Sequence, residues 1–315
     1  MLSRVADSLY WIGRYAERTQ TNAHILFSQL EQMLELSHKD AAYEKEWRAV
    51  LTICGYIEEY EAHYKVGVLE EMVRYLVYDA NNLNSLMSTV NSIRTNARHT
   101  RDRIPNELWE EWNSLYLDIQ DGAYSNEISV LNTTDFLTHI RKTALTSTGA
   151  IDSLMTRDVG YQFLKNGKWL ERSEKTALIL HRLLEIADHL EADRALRLSL
   201  RYTNTVDEYA YRSSVLTIDS ILNFLISDAK CSRSVAYGLH KIKHTVYDIE
   251  QGLTNHNVEN MYRTLDELIA LTNVDATTLT IEEKKQWVNN IRQSCTNFGP
   301  IMAQAYYLTP PILVV

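Results

Sequence analysis

The 315 residues are 45% hydrophobic and 23% charged, ordinary for a globular protein, and 10 Gly and 4 Pro are too few for a turn-rich β fold. A formal net charge of −9 argues against broad binding to nucleic acid or to an anionic membrane, while leaving room for a local basic groove. Cys54, Cys231 and Cys295 are odd in number and scattered, which points to free thiols. The start of the chain has no apolar signal core and no run approaches ~18 uncharged apolar residues, so the expected location is the cytoplasm.

Apolar periodicity predicts helices almost throughout. The first runs from about Leu2 to Leu36, with Val5, Leu9, Ile12, Ala16, Ala23, Leu26, Leu30 and Met33 at alternating three and four spacing once Thr19 fills the one gap. Further helices are expected at Glu44–Tyr60 and Val68–Tyr78. The Asn-rich turn Asp79-Ala80-Asn81-Asn82-Leu83-Asn84 follows, and Ser85 reads as the N-cap of a helix reaching about Thr100. Pro105 ends that region. Asn106 opens a helix carrying Trp109, Trp112, Leu115 and Tyr116. A loop is expected over Asp121–Asn132, then a helix capped by Thr133 or Thr134 and reaching about Arg157, then a long segment over Val159–Leu200. Helices near Asp207–Ile226, Ser232–Gln251, Val258–Thr272 and Ile281–Asn297 follow, and the Pro310-Pro311 tail cannot be helical. The apolar tail 308–315 is expected to dock on this chain or on a partner.

Three short segments recur in the same order. Gly13-Arg14-Tyr15-Ala16-Glu17-Arg18 is echoed by Gly167-Lys168-Trp169-Leu170-Glu171-Arg172, 154 residues later. Val50-Leu51-Thr52-Ile53 is echoed by Val215-Leu216-Thr217-Ile218. Tyr75-Leu76-Val77-Tyr78-Asp79-Ala80 resembles Phe224-Leu225-Ile226-Ser227-Asp228-Ala229, each with a Ser six residues past its Asp. The expectation is an all-α, internally duplicated multi-helix bundle. Its halves would be 1–158 and 159–307, related by a pseudo-twofold and packed as one unit, with 308–315 as a tail.

Each Glu-Arg pair lies mid-helix among aromatic and apolar neighbours, where an unpaired charge costs several kcal/mol. Reciprocal pairing is therefore expected, Glu17 with Arg172 and Glu171 with Arg18. The same four residues are the candidates for acid–base catalysis. Arg94, Arg98 and Arg101 share one helix face at i, i+4, i+7, and Arg194, Arg197 and Arg201 another at i, i+3, i+7. Guanidiniums in a row suit carboxylates or phosphates, including an acidic peptide or a phosphate-bearing ligand. The alternative is pairing with the chain's own acids, such as Glu191 and Asp193. His181, Glu185 and His189, with Asp188, are spaced for one helix face. Glu35-Leu36-Ser37-His38 is a lone Glu-x-x-His, too little for a di-metal bundle, so no metal and no cofactor is expected. There is no Gly-rich phosphate loop and no cysteine in a nucleophilic context.

The opening, Met1-Leu2-Ser3-Arg4-Val5-Ala6-Asp7-Ser8-Leu9-Tyr10-Trp11-Ile12-Gly13-Arg14-Tyr15-Ala16-Glu17-Arg18, closely resembles that of the alpha-E domain proteins, a bacterial family named for its helical content and Glu-Arg motif. Leu76-Val77-Tyr78-Asp79, Ser85, Ile93-Arg94-Thr95-Asn96-Ala97-Arg98, Arg101-Asp102-Arg103, Trp109 and Glu171-Arg172 extend the resemblance over nearly the whole chain. Asn81-Asn82-Leu83-Asn84 departs from an Asn-Pro turn common there. The resemblance implies companionship with an ATP-grasp ligase, and often a transglutaminase-like protein, in peptide synthesis or modification by amide ligation. Three readings stay open. One is a non-enzymatic accessory or substrate-binding partner, with Arg14 and the two arginine stripes as contacts. Another is a new type of enzyme acting on amide or amine groups, with the Glu-Arg pairs in a central pocket. The last is a structural scaffold.

Overall fold

A computed structural model describes residues 3–35, 41–64, 68–121, 129–187, 192–251 and 256–306, and every element among them is helical. The tail 308–315 lies outside the described residues, as do Ser37, His38, Asp188 and His189. In chain order the helices are α1 Ser3–Glu35, α2 Ala41–Cys54, α3 Ile57–His63, α4 Leu69–Val73, α5 Leu86–His99, α6 Asn106–Gln120, α7 Val130–Leu154, α8 Val159–Ala187, α9 Ala192–Tyr202, α10 Val206–Arg212, α11 Ile218–Leu222, α12 Val235–Glu250, α13 His256–Leu271 and α14 Ile281–Tyr306.

Several boundaries differ from the periodicity reading. The expected Glu44–Tyr60 helix divides into α2 and α3 around Gly55 and Tyr56, where Tyr56 is extended. Ser129, not Thr133 or Thr134, caps α7, accepting from the Asn132 N–H at 3.2 Å. Within the segment expected over Val159–Leu200 the described residues form α8 and α9, and residues 188–191 lie outside them. Extended backbone at Thr217 separates α10 from α11, which opens with a Thr217–Ser220 capping box. α14 continues past Pro300 to Tyr306.

The chain forms two compact units. One comprises residues 1–14, 156–181 and 213–315, and the other comprises 15–155 and 182–212. In the first, the start of α1 and most of α8 accompany α11 to α14. Its core includes Leu9, Ile12, Leu170, Leu225, Leu239 and Phe298, all at most 1% exposed. A Cβ built on Gly13 would overlap the Leu164 carbonyl oxygen, and one on Gly167 would overlap the Tyr10 carbonyl oxygen. Each glycine thus rests on the residue three before the other, and α1 and α8 cross backbone to backbone. In the second unit α5, α6 and α7 pack in sequence, and the largest buried side chains of the unit include Trp47, Tyr60, Trp112, Phe136 and Tyr202.

A similar local structure occurs once in each unit. α4 runs into a π-helical turn, Arg74–Tyr78, and α11 into another, Asn223–Ser227. The extra residue is visible in the i→i+5 bonds Asp79 N–H to Arg74 O, 2.9 Å, and Asp228 N–H to Asn223 O, 3.0 Å. Each Asp then turns the chain. Asp79 accepts from Asn81 N–H at 2.8 Å, and Asp228 from Lys230 N–H at 2.7 Å. Each Ser six residues on caps the next helix. Ser85 Oγ accepts from Ser88 N–H at 3.1 Å, and Ser234 Oγ from Tyr237 N–H at 3.0 Å. The Asp and Ser recognised as a repeat are therefore the two ends of one turn.

Candidate functional site

The Glu-Arg motif sits where these turns are held. In the second unit Arg18 Nη1 donates to Asn84 Oδ1 at 2.9 Å, immediately before the capping Ser85. In the first unit Arg172 Nη1 donates to the Ser232 carbonyl at 3.2 Å, two residues before the capping Ser234. Thr176 Oγ1, donating to the Arg233 carbonyl at 2.9 Å, reinforces that grip. Both arginines also cover an aromatic ring three residues earlier, Arg18 over Tyr15 at 5.6 Å and Arg172 over Trp169 at 4.8 Å. Each motif arginine is thus a clamp on a distant turn. Glu17 and Glu171 are both buried.

Glu171 accepts from Arg14 Nε at 2.5 Å. Arg14 Nη2 donates to Glu174 at 2.7 Å, Arg14 Nη1 to Tyr10 Oη at 3.3 Å, and Thr296 Oγ1 of α14 donates to the other oxygen of Glu174 at 3.1 Å. Burial disfavours the Arg14 charge, but Glu171, Tyr10 and Glu174 outweigh it and hold its pKa well above the ordinary value. Burial raises the Tyr10 phenol, partly offset by Arg14. Burial likewise raises the Cys295 thiol, with Glu174 adding to the effect. A guanidinium so paired is a fixed counter-ion. Burial keeps its neighbouring phenol and thiol in their protonated forms at neutral pH.

The second unit has its own buried chain of polar groups. Tyr202 Oη donates to Gln29 Oε1 at 2.6 Å, Gln29 Nε2 donates to Glu46 Oε2 at 3.1 Å, and Arg194 Nε donates to Glu46 Oε1 at 2.5 Å. Glu46 is 1% exposed, so Arg194 supplies the charge that makes its burial tolerable.

The α5–α6 face of the second unit is different in kind. Arg94 lies over Tyr116 at 4.2 Å and Trp109 at 5.8 Å and donates Nε to Asn113 Oδ1 at 2.8 Å. Arg101 lies over Trp109 at 5.0 Å and donates Nη1 to Asn106 Oδ1 at 3.0 Å. Arg98 is exposed. Among the described residues, none of the three arginines has a carboxylate oxygen within 4 Å. Arg94 and Arg98 share a face of α5, but Arg101 does not stand on that helix as expected, because α5 ends at His99 and Arg101 lies in the following turn. Trp109, Asn113 and Tyr116 sit at i, i+4, i+7 on α6 and so form one stripe.

The family model described as "a predicted alpha-helical domain with a conserved ER motif" matches residues 1–307. The chain belongs to the Alpha-E family. It is also 22% identical over 279 residues to an uncharacterized protein of Mycobacterium bovis and to others from two strains of Mycobacterium tuberculosis. Each match covers 82% of this chain and 31% of the relative, so the chain spans about a third of the length of the curated relatives it matches. No solved structure matches.

Within this Alpha-E chain the residues singled out from sequence take different places. Arg14, read as a surface contact, is only 7% exposed and bound to Glu171 and Glu174. Glu171 thus has in Arg14 a partner that the sequence did not suggest. Arg194 is engaged by Glu46, a different acid from the neighbouring Glu191 and Asp193, whereas Arg197 and Arg201 on the same helix are exposed. The Arg201 carbonyl, rather than its side chain, meets His24 Nε2 at 2.7 Å. Among the described residues, no group of three His, Cys, Asp or Glu could hold a metal ion. Among those residues, too, no helix is long and apolar enough to cross a membrane.

Sequence reasoning missed Glu46, Gln29 and Tyr202, because their partners come from distant segments. It also missed a ladder in the first unit. Lys165 Nζ lies 5.5 Å from the Tyr161 ring and 5.2 Å from Trp169, Arg157 lies 4.2 Å from Tyr161, and Lys241 lies 5.3 Å from Tyr237. The i, i+4 spacing of Tyr161, Lys165 and Trp169 was a readable signal.

Proposed function

We propose that this Alpha-E chain is a non-catalytic, cytoplasmic accessory or substrate-binding partner of an ATP-grasp-type amide ligase, acting in bacterial peptide synthesis or modification with a transglutaminase-like protein as a further companion. One observation carries the reading. Arg14, Arg18, Glu171 and Arg172 of the Glu-Arg segments are engaged in holding helices and turns together, while Arg94, Arg98 and Arg101 stand by α5 and α6 near aromatic rings with, among the described residues, no carboxylate oxygen within 4 Å. On a chain of net charge −9 such a local cationic face is a place where something anionic can be received. The relatives add support, since their matching region is 31% of a longer chain. A domain joined to other sequence in some proteins is suited to work beside a separate protein in others. Buried free thiols at Cys54, Cys231 and Cys295 fit a reducing compartment.

The same reading takes the fold as a duplication into 1–158 and 159–307. The paired π turns, the paired Asp–Ser turns, the paired arginine clamps and the mutual Gly13 and Gly167 contacts favour it.

The test is copurification of the tagged chain with an ATP-grasp-type ligase from the same organism, together with the ligase's product yield. Association and a yield that depends on the chain are expected. Catalysis by the chain alone, abolished by Glu171→Gln with the melting temperature unchanged, would replace this reading with the enzymatic one.

A further inference from the structure

We propose that the face formed by Arg94, Arg98 and Arg101 with Trp109 and Tyr116 is a binding site for an extended acidic polypeptide segment carrying carboxylates at alternate positions. The proposal rests on the partner reading above and names what this site takes.

The chemistry follows from how the arginines are held. A guanidinium over an aromatic ring is anchored through its face, and its N–H fork remains directed outward in the plane. Arg94 keeps Nε on Asn113, and Arg101 commits one Nη1 bond to Asn106. The remaining donors suit a planar, bidentate acceptor, and a carboxylate matches that fork. The rings also supply a surface for the methylene groups of Glu.

Spacing favours an extended peptide. Residues four apart on a helix rise by about 6 Å, which separates Arg94 from Arg98 along α5. Alternate residues of an extended chain lie about 6.6–6.8 Å apart and point to the same side. One strand with acids at every second position can therefore meet Arg94 and Arg98 without distortion, while Arg101, in the turn beyond the end of α5, offers its guanidinium beside Trp109. Total charge favours a short acidic segment over nucleic acid, because a chain of net −9 repels a long polyanion beyond the immediate patch. The α9 stripe makes a poor competitor. Arg194 is bound to Glu46, and Arg197 and Arg201 have no ring beneath them among the described contacts.

The probe is a fluorescein-labelled dodecapeptide of alternating Glu and Ser, titrated with the intact chain and followed by fluorescence anisotropy. Saturable binding that weakens as salt rises is expected. Arg98→Ala, at an exposed residue with no hydrogen bond, ion pair or ring contact among the described residues, is expected to weaken it at least fivefold without changing the helical circular dichroism. Arg94→Lys keeps the charge and loses the fork, and is expected to weaken binding by a similar factor, while Arg197→Ala leaves it unchanged. Absence of binding at millimolar peptide would overturn the proposal, as would equal weakening by Arg197→Ala or full retention in Arg98→Ala. Tighter binding of a dT12 oligonucleotide or of inorganic phosphate would also overturn it, in favour of phosphate recognition. Failure of the peptide with intact ligase copurification would reject this site alone. Peptide binding without ligase association would reject the named partner alone.

Discussion

Gly13 of α1 and Gly167 of α8 occupy equivalent positions in a single close crossing: a Cβ on Gly13 would strike the Leu164 carbonyl, and one on Gly167 the Tyr10 carbonyl. Both glycines open the repeated Glu-Arg hexapeptides. Their absence of side chain lets the helices approach, and the approach sets Arg14 against Glu171 and Glu174.

Adding one methyl group there should separate the helices, since backbone cannot yield as a flexible side chain does. Gly13→Ala and Gly167→Ala are each expected to lower stability by about 1–3 kcal/mol or more, read from the urea midpoint. Gly149 is the control. It lies exposed in α7, where an added methyl group would meet nothing within 4 Å, and Gly149→Ala should stabilise by about 0.5–1 kcal/mol. Equal destabilisation at all three positions would contradict the close crossing.

Removing one member of the Arg14–Glu171 pair leaves a buried charge without its counter-ion. Arg14→Ala is expected to cost about 3–5 kcal/mol, whereas Arg14→Met with Glu171→Met should recover most of that loss. A double mutant no more stable than Arg14→Ala would show that the pair contributes chiefly through other contacts.

In the second unit, Arg194 and Arg197 share a helix and a charge but have different partners. Arg194→Ala strands Glu46 and should destabilise by about 3–5 kcal/mol, while Arg197→Ala should stay within about 0.5 kcal/mol. Differential thermal unfolding of the two variants checks this. A small, equal effect would mean that Glu46 is served by Gln29 without the arginine.

Alkaline pH tests the buried phenols. Burial raises Tyr10, Tyr60, Tyr75, Tyr202 and Tyr306 above the ordinary phenol value. Above about pH 10 the unfolded chain loses these protons and the folded chain keeps them. Their contribution to stability is therefore complete below about pH 10 and is lost as pH rises toward their folded values. Absorbance at 295 nm should show exposed tyrosines ionising first and the buried set ionising together with loss of helical circular dichroism. Ionisation of all 19 tyrosines near pH 10 in a folded chain would refute this.

Much of this molecule was legible in one dimension. Apolar residues at three and four spacing identified the long helices, because an amphipathic stripe must be buried wherever it goes. Ser85 as an N-cap was readable because its partner, the Ser88 N–H, is three residues away. The repeated Asp and Ser were visible for the same reason. The break at Gly55 and Tyr56 and the run of α14 through Pro300 were not, since packing there prevails over local preference.

The chemistry divided differently. The amino-acid sequence by itself determined an all-helical Alpha-E domain, the positions of its two Glu-Arg pairs and its two arginine stripes. Only the tertiary structure decided that Arg14 meets Glu171 and that Arg18 and Arg172 clamp turns. It also decided that Arg194 is consumed by Glu46 while Arg94 and Arg101 rest on Trp109. Spacing along a helix states which side chains share a face, and it could not show that α5 ends at His99, leaving Arg101 in the turn beyond, while Arg194, Arg197 and Arg201 all stay on α9. What separates a counter-ion from a free binding group is whether a carboxylate arrives from elsewhere. Glu46 lies 148 residues from Arg194, a distance over which no local rule reaches.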